Sequence, residues 1–178
     1  MRDYLRRETR AIHDRLDVMA ANMPLAGDAE YASFLRAQGE VRTVLDNAFT
    51  FHPPLGLPAP PRQTMLIEAD LDELNAPGLT CGPAVSFANG YEALGAAWVV
   101  SGSSLGNRAM LAQRRRSGLD RAHAFFSDPA MPEYFKRVAS ALETPFTDPE
   151  CEQICKGAHL AFGLFEHNLA VVRQDCAA

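Results

Sequence analysis

The chain lacks most of the features that would place it quickly. Among its 178 residues there is one tryptophan, and aromatic side chains make up only 8%. The four cysteines, Cys81, Cys151, Cys155 and Cys176, are too few and too scattered for a disulfide framework in a chain this long. A reduced, cytoplasmic setting is therefore expected. No stretch of apolar residues is long enough to cross a bilayer. The segment MRDYLRRETR has no apolar core of the kind a secretion signal needs. Positive charge is not in excess: 17 Lys and Arg face 22 Asp and Glu, for a net charge of -5. With a pI near 5.5, a nucleic-acid surface is not expected. Alternating strand patterns are nearly absent and there are no internal repeats, which leaves little room for a sheet or a solenoid.

What is present is helical periodicity on a chain that is 47% hydrophobic. Leu5, Ile12, Leu16 and Met19 form a stripe, with Thr9 filling the gap. A second helix runs from Tyr31 to Phe49, with Asp28 as its expected N-cap. The proline-rich HPPLGLPAPP, residues 52–61, cannot continue it and reads as a surface loop. A short helix is expected from Arg62 to Leu74, ending before Asn75-Ala76-Pro77-Gly78. A long glycine-bearing segment covers residues 87–115. Asp128-Pro129 and Asp148-Pro149 each read as an N-cap followed by proline at the first helical position, opening helices over 129–144 and 149–173. The expected architecture is an all-α, single-domain bundle of about seven helices spanning residues 1–178.

Two segments carry chemistry. In LRRETRAIHDRLD a lone His13 borders the apolar stripe, with Thr9 at i−4 and Asp17 at i+4. It reads either as a hydrogen-bonded structural histidine or as an iron ligand whose second ring nitrogen is oriented by a carboxylate. In GAAWVVSGSSLGNRAML, Gly95, Gly102 and Gly106 fall at spacings of seven and four, on one nominal helix face. Each interior glycine costs a helix about 0.8–1 kcal/mol relative to alanine. Close helix packing is one reason to bear that cost, and close approach of backbone to a flat ligand is the other.

Together these residues resemble the haem oxygenases, in particular the bacterial type found beside bacterial phytochromes. LRRETRAIHDRLD is similar to the family's Leu-Arg, Thr and proximal His pattern, with an acid four positions on. ALGAAWVVSGSSLGN is similar to its distal-helix pattern, Tyr-Val-Leu-Glu-Gly-Ser followed by Leu-Gly-Gly. AHLAFGLFEHNL resembles the last-helix run that ends in Phe-Glu. The resemblance implies a fold of the haem-oxygenase type and the oxidative opening of haem b to biliverdin, with release of CO and iron. Haem would be both substrate and cofactor. Dioxygen and electrons from a ferredoxin or other reductase would be consumed, and a bacterial phytochrome is one acceptor for the product.

Carried over to this chain, the resemblance makes His13 the proximal ligand and Asp17 the carboxylate that orients its other ring nitrogen. Thr9 belongs to the same motif. Gly102 and Gly106 would lie against the distal face, with Ser103 and Asn107 anchoring water, and Trp98 would stand near the haem edge. Arg6, two turns before His13, and Lys136 in YFKRVASALE are the expected partners of the propionates. There are two departures: Ser101 replaces the motif's Glu, and Asn107 replaces the second Gly of its pair. They keep a second reading open, a non-catalytic haem-binding or haem-sensing protein on the same fold. A third reading is a helical interaction domain in which the glycines only pack helices. The run Arg114-Arg115-Arg116 is expected to complement a helix C-terminus.

Overall fold

The computed structural model describes residues 1–21, 25, 27–80 and 82–175, with side chains as far as Val172. Cys81 and Cys176 lie outside the described residues. The described residues form seven α-helices and no strand: α1 (Arg2–Ala21), α2 (Asp28–Phe51), α3 (Thr64–Glu73), α4 (Gly90–Gly102), α5 (Asn107–Arg116), α6 (Ala130–Ala141) and α7 (Asp148–Asp175). A single 3-10 turn, Ser103–Gly106, joins α4 to α5. Taken with that turn as one bent rod, α4 and α5 reduce the count to six, close to the seven expected.

Helix boundaries follow local chemistry, though not always through the residue expected. Asp28 is the first residue of α2 rather than its cap; Gly27 holds the cap position without a side-chain bond. The Asp28 carboxylate instead receives Arg121 and, at 3.4 Å, Arg114 Nη2. Asp128 does act as a cap, one position early: its Oδ1 accepts from Ala130 N at 2.8 Å while Pro129 takes the cap position. At α7 the cap is Thr147, not Asp148. Glu150 Oε2 accepts from Thr147 N at 2.7 Å, the reciprocal half of a Thr-x-x-Glu capping box. Asn89 caps α4 by accepting from Tyr91 N and Glu92 N at 3.0 and 3.1 Å. After α3, Asn75 takes a left-handed φ of 53°. Ala76 N then donates to Leu71 O and Asn75 N to Asp72 O, which closes a Schellman turn where the sequence placed the stop.

The long α7 is the spine, packing against α4, α1 and α2. Its crossing with α4 is made by glycine on both sides. A Cβ on Gly95 would stand 1.8 Å from Ile154 O, and one on Gly157 would stand 1.8 Å from Glu92 O. Leu94, Ala97, Ile154, Ala158 and Phe162 are buried around that crossing. A second core gathers Tyr31, Phe34, Phe125 and Phe126 between α2 and the segment before α6. Arg114 belongs to this core. It is 1% exposed, donates Nη1–H to Leu25 O at 2.9 Å and lies 3.6 Å from the centre of the Tyr31 ring. Arg114, Arg115 and Arg116 do form the last turn of α5, as expected, but Arg114 turns inward and Arg115 pairs with Asp120 at 2.8 Å.

Candidate functional site

α1 and α4 both lie on α7 without packing extensively on each other. A cavity of about 650 Å³ opens between α1 and the α4–α5 bend, with α2, α6 and α7 supplying further wall. That size falls within the roughly 300–1,000 Å³ of small-molecule and cofactor sites. α1 is held in place by Leu5 and Thr9 buried against the core and by Arg15, whose Nε donates to Glu166 Oε1 on α7 at 2.5 Å.

His13 projects from α1 at the cavity, with its side chain about half exposed. Its Nδ1 lies 3.1 Å from Asp17 Oδ2, one turn on, which leaves Nε2 as the ring's available nitrogen. The imidazole stands edge-on to Phe162 at 6.0 Å, and Trp98 stands edge-on to the same ring at 6.2 Å. Phe162 thus braces the histidine helix and α4 together. Thr9 also lines the cavity, but its hydroxyl proton is given to Leu5 O at 2.7 Å.

The opposite wall comes from the bend. Ser101, Ser103 and Ser104 return their hydroxyls to Ala97 O, Val100 O and Ser101 O at 2.5, 2.7 and 2.6 Å. Serine back-bonding of this kind bends helices, and here it coincides with the change from α to 3-10 winding. The bend turns Gly102, Ser103, Gly106 and Asn107 to the cavity. A Cβ on Gly102 would make ordinary contact with Phe135, 3.4 Å away, and one on Gly106 would meet nothing within 4 Å. The expectation that Gly95 shares a face with these two fails in three dimensions: Gly95 is consumed by α7. Ser101 is fully buried and does not line the cavity.

Nine of the ten sequence-derived site residues therefore meet in one place: Arg6, Thr9, His13, Asp17, Trp98, Gly102, Ser103, Gly106 and Asn107. Lys136 does not. Its Nζ, on the exposed side of α6, pairs with Glu133 at 2.7 Å. The basic groups that do reach the cavity are Arg6 and Arg10, both on α1.

Sequence reasoning missed the polar floor. Gln38 lines the cavity, and Arg42 one turn on is 1% exposed behind it. Burial pulls the Arg42 guanidinium down to about 10, against the opposing pull of Asp46 and Asp128. Burial likewise pushes the Asp46 carboxyl up to about 6, with Arg42 and Arg62 working the other way. The available signal was two polar residues at i and i+4 inside the apolar stripe of α2, flanked by Phe34, Leu35, Val41 and Leu45.

No family model matches the chain, and no curated protein matches it in sequence. Among solved structures it is similar to the haem oxygenase of Neisseria meningitidis, described in its NO- and CO-bound forms. The TM-score is 0.72 at 18% identity, over 94% of this chain and 89% of that one. The chain has the all-helical haem-oxygenase fold.

Proposed function

We propose that this chain is a haem oxygenase, one domain over residues 1–178 that opens haem b to biliverdin with release of CO and iron. The observation that carries the reading is the meeting of His13 with the Gly102–Asn107 bend at one cavity, on a fold similar to that of a haem oxygenase. The residues present fit the group. A half-exposed imidazole with one nitrogen beside a carboxylate offers its other nitrogen to iron. Trp98, Phe135, Phe162 and Phe165 give apolar walls for a flat macrocycle, and Arg6 and Arg10 suit its propionates. When bound, haem supplies both the iron chemistry and the ring that is opened, using dioxygen and electrons from a ferredoxin or other reductase.

The chain's own residues do the rest. Asp17 fixes the tautomer and angle of His13. Gly102 and Gly106 present bare backbone at their two positions of the facing wall, so that a flat ligand could approach closely there. Asn107 and the remaining lone pair of Ser103 Oγ would hold ordered water there, and that water would hand on protons. Trp98 would bound a flat ligand on the α4 side of the cavity. Ser101, buried next to the cavity-lining Gly102 but not itself lining the cavity, gives its hydroxyl to the bend, so the departure from the family's Glu at that position gives the non-catalytic, haem-sensing alternative little support. Asn107 is the departure that bears on turnover. Biliverdin supply to a bacterial phytochrome is the use we favour, in a cytoplasmic setting.

Addition of hemin is expected to give a Soret band that His13→Ala abolishes. A reductant in air should then bleach that band as biliverdin absorption grows. A His13-dependent Soret that survives reduction unchanged would replace the oxygenase with the haem-binding alternative. No Soret at all would leave the interaction-domain reading.

A further inference from the structure

Arg42 is a buried cation that forms no ion pair among the described residues. Its Nε donates to Gln63 Oε1 at 2.9 Å, its Nη1 to Gln38 Oε1 at 2.6 Å, and its Nη2 to Ser103 Oγ at 2.9 Å. The guanidinium lies near the Phe125 and Phe165 rings, 4.8 and 5.3 Å from their centres. A guanidinium has five donors and no acceptor. Each amide that touches it must therefore turn its carbonyl oxygen inward and its nitrogen outward. For Gln63 the outward nitrogen donates to Asp128 Oδ2 at 2.7 Å. For Gln38 the outward nitrogen has no acceptor among the described residues, and Gln38 lines the cavity. Ser103 has already given its proton to Val100 O.

We propose that Arg42 is a positioning residue that locks the Gln38 carboxamide with its two N–H donors toward the cavity. The floor on that side becomes a donor site for an anionic or electron-rich ligand atom, backed by a fixed positive charge. The proposal rests on the haem reading for its probe, and goes beyond it in assigning the polarity of this wall to a residue that never touches the cavity.

The test uses the hemin-loaded protein with azide as an anionic probe and imidazole as a neutral one, each titrated by visible spectrum. Gln38→Glu keeps the contact with Arg42, indeed turns it into an ion pair, but replaces the donor nitrogen with an acceptor oxygen. It is expected to weaken azide about tenfold or more while leaving imidazole within about twofold. Arg42→Met frees the amide to flip and is expected to weaken azide by a smaller factor. If that variant does not fold, Gln38→Glu decides alone, since it preserves the buried contact. Azide affinity unchanged in Gln38→Glu, with a normal His13-dependent Soret band, overturns the inference and leaves the haem reading intact. Failure of the wild-type protein to give that band removes the haem reading and this inference with it.

Discussion

The middle of α4 and the 3-10 turn that follows it make opposite use of the same amino acid. At Gly95 the missing side chain lets α7 come so close that a Cβ would stand 1.8 Å from a backbone oxygen. At Gly106, in that turn, a Cβ would meet nothing within 4 Å. The first glycine is filled space and the second is open space. A glycine that packs helices and a glycine that leaves room for a ligand look the same along the chain. What separates them is whether another helix lies over the position: α7 backbone lies against Gly95, and nothing lies over Gly106.

That contrast can be broken by making the same substitution at both positions. Gly95→Ala is expected to be the most damaging change, because the opposing atoms are backbone and cannot rotate away. A loss of at least about 3 kcal/mol is expected, seen as a fall in Tm of roughly 6–12 °C for a chain of this size. An unchanged melting curve would mean that α4 and α7 do not approach as described.

A cost of another kind falls on α2 at Asp46, whose Oδ2 is buried without a partner among the described residues. Its carboxyl value of about 6 lies above the ordinary 3.8, so between those values the folded protein holds a proton that the unfolded chain has released. The Asp46 contribution to stability is therefore most favourable below 3.8 and is lost as pH rises through about 6. Asp46→Asn is expected to raise stability by about 2 kcal/mol at pH 7 and to give no gain below the lower value, as read by urea denaturation at the two pH values.

Gly106→Ala should do the reverse of Gly95→Ala in the free protein. With helical dihedrals and open space, the added methyl is expected to stabilise by up to about 1 kcal/mol. The same methyl narrows the cavity and should weaken hemin binding, measured by Soret titration. The smallest effect on stability is expected from His13→Ala. A half-exposed side chain whose contact with the core is the edge of Phe162 changes folding by about 0.5 kcal/mol, yet this variant should lose the Soret band. A large drop in Tm there would recast His13 as a structural residue.

Much of the site was legible because its parts are local. His13 and Asp17 lie one helical turn apart, so a correct helix assignment brings them together without any knowledge of the rest of the chain. Gly102, Ser103, Gly106 and Asn107 fall within one bend for the same reason. The Arg42 group was not legible. Its partners Gln38, Gln63 and Ser103 come from α2, the loop before α3 and the 3-10 turn, and no spacing rule links them. Lys136 failed in the opposite way. Its place on α6 was foreseen, but periodicity says which residues share a face and not what the face looks upon. Glu133, three residues earlier, holds it on the exposed side.

By itself the sequence determined the helices, their main stops and the pairing of an imidazole with its carboxylate, since each depends on dihedral preference and neighbours within a turn. Only the tertiary structure decided which glycine is covered and which is open, which arginines are buried, and which way the Gln38 amide faces. Those outcomes depend on the atoms that arrive from distant parts of the chain, and the local pattern of a helix is the same whether they arrive or not.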